Sequence, residues 1–348
     1  MNEAKRKIAL LIEGVNDPIR AKTAVSLIRY RPEEVVAILD STRQGETAQS
    51  LFGIGGNLPV VGSLADVPSA DTLLVGIAPP GGKLPQPMRR AVLDALERRL
   101  TVVSGLHDFL SDDAEFAAAA QAQGAKIIDV RKNNEHEVAN REGIDERCLR
   151  IHTVGNDCSL GKMVTALEIT HALKRRGRDA KFVATGQTGI MVEGDGCPID
   201  CVVSDFINGA AERLVLANQQ HEIIVIEGQG SLVHPRYSAV TLGLLHGSMP
   251  DGLIMTYEVG RTRLNNMEQF PVPPLPYVIQ LYETMGQVMH PCRVIGVSMN
   301  SRNCTPDQAE AERERVRREL GLPVCDVLRH GADELADAVL KFKQEIGK

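Results

Sequence analysis

Two glycines enclosing five residues, followed at once by a lysine, form the most chemically suggestive stretch of this 348-residue chain. The stretch is Gly155, Asn156, Asp157, Cys158, Ser159, Leu160, Gly161, Lys162 and Met163. An apolar strand pattern precedes it and a helical pattern follows. In that context the spacing reads as a phosphate-binding P-loop, whose backbone N–H groups curl around an anion while the lysine supplies a point charge. The start of the following helix adds favourable partial charge. Position 163 usually carries the Ser or Thr that holds Mg²⁺, and here it is Met163. The motif therefore points to phosphate binding ahead of metal-assisted phosphate cleavage. Asp157 is expected to orient a ligand group or to cap the helix, and Cys158 to be inert.

A second group lies in Ile223–Pro235, where an apolar run delivers Glu227 and then Gly228-Gln229-Gly230 and His234. An acid at the carboxyl end of a strand stands where ligands gather in open α/β sheets. Glu227 suits a metal ligand, an amine-positioning group or a base. His234 suits a general base, because imidazole titrates near neutrality; the alternative is a turn histidine before Pro235. In Thr185–Ile190, Gln187 and Thr188 between glycines suit contact with substrate or phosphate, or a plain turn. Asp200 and Asp205 suit an ammonium or metal contact, or helix capping. Arg261, Arg263 and Asn265 suit a grip on carboxylates, or a solvated surface.

These residues need elements to position them. Apolar runs at Lys7–Ile12, Val35–Leu39, Thr72–Ile77, Thr101–Ser104 and Lys126–Val130 alternate with helical patterns that include Asp17–Tyr30, Pro87–Arg99 and Asp113–Gln123. Alternation of this kind predicts a parallel sheet covered on both faces. Residues 1–145 are read as a Rossmann-like domain, although its first turn lacks G-x-G-x-x-G. Asp40 stands where a ribose-binding acid would be, or caps a turn. The polar stretch 131–149 reads as a connection. Residues 146–348 are read as a P-loop NTPase-like α/β domain, with strands at Arg150–Val154, Ala180–Ala184, Glu222–Ile226, Gly252–Thr256, Arg293–Val297 and Val324–Leu328. Its helices are expected at Lys162–Arg176, Phe206–Gln219, Pro306–Leu320 and Ala332–Ile346. The turn-rich 184–191 and the proline cluster Pro271–Pro276 are expected to be loops.

Bulk properties narrow the function. The 39 basic and 45 acidic residues leave a net charge of −6, which argues against a general grip on nucleic acid. Seven scattered cysteines in a chain of this size point to a reducing, cytoplasmic compartment. Cys197 and Cys201 lack companions at zinc-site spacing, so no metal site is expected. The N-terminal apolar run is too short for a secretory core, and no run is long enough to span a bilayer.

At GNDCSLGKM (155–163), TGQTGI (185–190), the Asp205 region and EGQGSLVHP (227–235), the chain resembles a family catalogued as a domain of unknown function, DUF1611. Some of its members are D-glutamate N-acetyltransferases, and the likeness covers essentially the whole chain. The C-terminal half is also similar to dethiobiotin synthetase and related ATP-dependent enzymes. The resemblance implies acetyl transfer from acetyl-CoA to the amino group of an acidic amino acid, within D-amino acid metabolism. On that reading residues 155–163 bind the cofactor, Glu227 or His234 takes a proton, and Gln187, Thr188, Asp205, Arg261 and Arg263 meet the substrate. An oligomer of identical chains is expected. The rival is an ATP-dependent ligase or kinase using Mg²⁺, held by Asp157, Glu227 or Asp205.

Overall fold

The computed structural model describes residues 5–348 as two compact α/β units. The first runs up to Asn133 and includes Ile190–Gly194; the second comprises Asn134–Gly189 and Asp195–Lys348.

In the first unit the elements run β1 (Ile8–Leu11), α1 (Lys22–Tyr30), β2 (Val35–Leu39), α2 (Ala48–Phe52), β3 (Val60–Val61), β4 (Thr72–Val75), α3 (Arg89–Glu97), β5 (Thr101–Ser104), α4 (Ala114–Gln123) and β6 (Ile127–Asp129). The sheet order is β3-β2-β1-β4-β5-β6 and every pairing is parallel. This is the doubly wound, Rossmann-type order. Central strands β1 and β4 are buried at every position, as strands covered on both faces must be. The expected first helix begins four residues later than its Pro18 signal, because the Asp17 carboxylate accepts the Ile19 amide (2.9 Å) in a preceding turn. Asp40 is fully buried, and its Oδ1 accepts from Gly14 N (3.1 Å) and Thr42 N (2.9 Å). It ties the first turn to the second strand as a turn cap.

The second unit continues with β7 (Leu149–Gly155), α5 (Lys162–Arg175), β8 (Ala180–Val183), the first three residues of α6 (Gln187–Glu193), α7 (Ile207–Asn218), β9 (Ile223–Ile226), α8 (Ser238–Ser248), β10 (Gly252–Glu258), β11 (Arg263–Leu264), β12 (Met267–Pro271), α9 (Leu275–Gln287), β13 (Arg293–Asn300), α10 (Pro306–Leu320), β14 (Val324–Cys325) and α11 (Asp333–Glu345). Its main sheet is parallel in the order β14-β13-β10-β7-β9-β8; β11 and β12 form a small antiparallel hairpin. Strand β7 is therefore central, with β9 and β10 as its immediate neighbours. One layer of core packs Met255, Tyr257 and Val297 with Val278 and Tyr282 of α9, and the other packs Ile224 and Ile226 with Leu214 and Leu244.

Two expectations are corrected here, and a third is sharpened. The 184–191 turn gives way to helix α6 from Gln187. The proline cluster is not one loop, since β12 ends at Pro271 and α9 begins at Leu275, with Pro274 as its N-cap and Pro276 in the first turn. Proline is tolerated there because those N–H groups have no intrahelical partner. The stretch after Asn134 has no helix or strand before Leu149, yet it is pinned: Asn140 N and Arg141 N donate to the buried Glu212 carboxylate at 2.8 and 3.0 Å.

Candidate functional site

Strand β7 is buried along its whole length and ends at Gly155, so its loop emerges at the carboxyl edge of the sheet centre. The loop turns into α5 at Gly161, whose φ of 107° is open to glycine and strained for other residues. Five residues between the glycines are one more than in the G-x₄-G-K-[ST] form, and within them Ser159 takes a left-handed φ of 56°.

Braces arrive from β13, from the segment after β10 and from α9. Asn300 Nδ2, at the end of β13, donates to Leu160 O (2.9 Å). Tyr282 donates from its hydroxyl to Gly155 O (2.9 Å) and accepts from Leu232 N (3.1 Å). The fully buried Asp157 accepts from Cys158 N at Oδ1 (2.7 Å), and from Arg261 Nη1 and Asn265 N at Oδ2 (2.8 Å each). Arg261 Nη1 also donates to Cys158 O (2.9 Å), while its Nη2 meets Glu258. Glu258 in turn accepts from Arg302 Nη2 (2.8 Å) and Asn303 Nδ2 (3.1 Å).

Lys162 is almost wholly buried, and its ammonium donates to Asp157 O (2.8 Å). Desolvation is the largest influence on it and lowers its pKa to about 8. Neighbouring Cys158, Asp157 and Glu227 act in the opposite direction. An anion delivered to the loop would restore the stabilisation that burial has removed. Cys158 is half-buried, with its thiol pushed up by burial and by Asp157. That is the behaviour of an unreactive thiol. Asn156 is buried and its Oδ1 has no hydrogen-bond partner. Met163 follows Lys162 in α5, and the next hydroxyl, Thr165 Oγ1, is spent on Ser298 Oγ (2.8 Å).

On the other side of β7, Glu227 directly follows β9 and is buried; Oε2 accepts from Thr185 N (3.0 Å) and Gly186 N (3.1 Å). Gly189 makes room for this carboxylate, since an added Cβ there would lie 2.4 Å from Oε2. Gln187 and Thr188 start α6 beside it and are buried. Glu227 and the P-loop lysine are brought together: a Cβ on Gly228 would lie 3.0 Å from Lys162 Cδ.

His234 is fully buried and stacks on Tyr237, with ring centroids 4.6 Å apart. Its Nδ1 accepts the Arg236 amide (3.2 Å), which leaves the proton on Nε2 to donate to Asn265 O (3.1 Å). That Nε2 stands 3.8 Å from Asp157 Oδ1, and with Cys158 the three side chains form a close N, O, S group. The tautomer opposes a cation there, because metal on Nε2 would require a proton on Nδ1, facing the Arg236 N–H. The remaining sequence candidates are dispersed. Asp205 is exposed in a 3₁₀ turn and does not cap α7, whose N-cap, Phe206, makes no side-chain cap bond; Arg263 is exposed on β11.

Glu258, Asn300, Arg302 and Tyr282 hold the site together, and none was singled out from sequence. Glu258 and Asn300 carried a usable signal, since both end strands at the edge where the phosphate loop emerges. Tyr282 sits on a helix hidden behind prolines.

Models of two domains of unknown function match the chain: a Rossmann-like domain (DUF1611_N) over residues 41–133 and a P-loop domain (DUF1611_C) over 134–336. A D-glutamate N-acetyltransferase from Tritonibacter scottomollicae is 36% identical over 335 residues, covering 95% of this chain and 97% of that protein. Another, from a Pseudoalteromonas species, is 34% identical over 334 residues, covering 96% and 98%. The crystal structure of a DUF1611 family protein from Anabaena variabilis superposes with a TM-score of 0.91 at 37% identity, covering 97% of this chain and 99% of that one. With both halves matched in order and the full-length architecture shared, this chain belongs to the DUF1611 family.

Proposed function

We propose that the protein transfers an acetyl group from acetyl-CoA to the amino group of an acidic amino acid, D-glutamate in the first instance. The observation that carries this reading is a braced phosphate loop with a partly desolvated lysine and no hydroxyl at position 163 to hold Mg²⁺. Such a loop suits a ligand whose phosphates are held and never cleaved. The names of the two relatives agree with it.

Acetyl-CoA, when bound, supplies the activated acyl group. Lys162 and the amides of residues 159–161 hold its phosphates, those of Asn156 and Cys158 being spent on Thr256 O and Asp157 Oδ1. Glu227 takes a proton from the acceptor ammonium, its carboxylate aimed by the Thr185 and Gly186 amides. Gln187 and Thr188 line the acceptor side, and the exposed Asp205 and Arg263 are left outside it. Arg261 is already shared by Asp157 and Glu258, so its part is to hold the loop. His234, with both ring nitrogens engaged, is a positioning residue. The seven free cysteines suit a reducing cytoplasm, and no helix among the described residues is long and apolar enough to cross a membrane. Assembly with copies of itself belongs to the same proposal.

The rival reading, an ATP-dependent ligase or kinase, draws on the P-loop itself. Its Mg²⁺ ligands are poorly disposed: Asp157 is bonded at both oxygens, Glu227 is held by two amides, and Asp205 is exposed elsewhere. Purified protein decides between them. Free-thiol release from acetyl-CoA that depends on D-glutamate supports acetyl transfer. Magnesium-dependent ADP formation without thiol release overturns it.

A further inference from the structure

An open cavity of about 710 Å³ shares one residue with the braces of the phosphate loop. Arg261 joins the two: it lines the cavity, and the same guanidinium donates to Asp157 Oδ2 and Cys158 O of the loop. The cavity lies beyond the carboxyl ends of β10 and β13, against the first half of α10. We propose that it takes the nucleoside end of the cofactor, the adenosine 3′-phosphate of coenzyme A.

This proposal rests on the phosphate-holding role given to the loop above and adds the direction in which the cofactor lies. Three properties of the lining carry it. Val259, Cys304 and Ala311 supply apolar surface for the faces of a heteroaromatic base. Asn303 and Gln308 each keep a polar atom for its edge beside the one spent on Glu258 or Thr305. Arg315, also in the lining, is more than half exposed, and its ion pairs with Glu312 and Glu319 are surface pairs of the weak kind that a phosphate can replace.

An acyl-accepting role suits this cavity poorly. Glu258 is committed to Arg261, Arg302 and Asn303, so it is no base. Sheet order then fixes the rest. The loop stands over central β7, the cavity over β10 and β13 on one flank, and Glu227 over β9 on the other. A cofactor held at its phosphates leaves the loop in two directions. With the nucleoside on the β10–β13 flank, the thioester arm runs along β9 and β8, the side that carries Glu227, Gln187 and Thr188.

The test fills the cavity without touching the loop. Ala311 is exposed on α10, so Ala311→Trp adds bulk at no cost to the core. Kinetics with D-glutamate are compared for acetyl-CoA and for acetyl-4′-phosphopantetheine, which lacks the nucleoside. Ala311→Trp is expected to raise KM for acetyl-CoA by about tenfold or more, with kcat and the KM for the truncated thioester unchanged. Equal effects on both thioesters, or none on acetyl-CoA, overturn the proposal. Binding of adenosine 3′,5′-bisphosphate, followed by calorimetry, gives an answer that needs no turnover. It is expected for the wild type and lost in Ala311→Trp, and unchanged binding in the variant overturns the assignment. Arg315→Ala is expected to erase the preference for CoA over dephospho-CoA, and a retained preference counts against it. Wild-type protein that binds the bisphosphate but turns over neither thioester retains the cavity and sinks the acetyl-transfer reading instead.

Discussion

Arg261 Nη1 lies 2.8 Å from Asp157 Oδ2, joining the phosphate loop to the segment after β10 across 104 residues of chain. Asp157 is fully buried and Arg261 largely so, and the guanidinium is shared with Glu258. Removing one partner of a buried pair leaves the other uncompensated. Asp157→Ala is therefore expected to cost about 3 kcal/mol in urea unfolding. Arg261→Ala should cost a similar amount, and the double variant less than the sum. Strict additivity in that cycle would show that the pair is not coupled.

Lys162 gives a pH signature. Its folded pKa, about 8, is below the 10.5 of a free lysine, so the folded state binds fewer protons than the unfolded one between those values. Stability should then rise with pH across that window; below about pH 8 the cost of the buried ammonium is fully present. Lys162→Met lacks this cost, so the difference between variant and wild type should shrink by about 3 kcal/mol from pH 8 to 10.5. The same variant should bind acetyl-CoA more weakly below pH 8, read by thermal shift. An unchanged shift removes the lysine from the phosphate site.

His152, on β7, is 1% exposed with Nδ1 unpartnered, and burial lowers its pKa to about 3. Here too the unfolded state binds more protons, now between pH 3 and 6.5, so stability falls as pH falls through that range. His152→Leu should flatten this acid limb, and at pH 7 should be neutral or stabilising by about 1 kcal/mol. Chemical denaturation at pH 7 and pH 5 measures both.

Glu227→Gln keeps the shape of the side chain and its acceptor for the Thr185 and Gly186 amides, but removes the base. A drop in kcat of about 10²-fold or more is expected, with KM for acetyl-CoA little changed. Full activity in this variant would move the proton acceptor elsewhere.

Met163→Ser restores the hydroxyl at the metal-holding position. Under acetyl transfer, thiol release should stay within about twofold of wild type, an effect worth well under 1 kcal/mol. A large gain in magnesium-dependent ADP formation would instead identify a degenerate kinase.

Much of this arrangement was legible in sequence because parallel strands buried on both faces are near-continuous apolar runs, as Ile223–Ile226 and Ile8–Leu11 are. The phosphate loop and Glu227 were legible for a related reason, since each follows such a run directly. What escaped notice was written in residues that usually end structure. Helix α8 contains Gly243 and Gly247, which read as breakers; in place, a Cβ on Gly247 would lie 2.4 Å from Asn208 O, so the glycine is what lets α8 approach α7. Helix α6 was hidden likewise by Gly189, which yields its side-chain space to Glu227. Among the site's charges, Arg261 and His234 were found as residues but not as roles. Their commitments run to Asp157, Glu258 and Asn265, and pairings so distant in sequence leave no local pattern.

The position of β7 at the middle of its sheet sets an order in time during synthesis on the ribosome. Every brace of the phosphate loop comes from later chain: Arg261 and Asn265, then Tyr282, then Asn300. A nascent chain halted before residue 260 would carry the whole glycine-lysine motif without any of these four side chains to hold it. Anion affinity should therefore emerge only as residues 261–300 leave the exit tunnel, which makes ligand capture a report on the folding of that stretch.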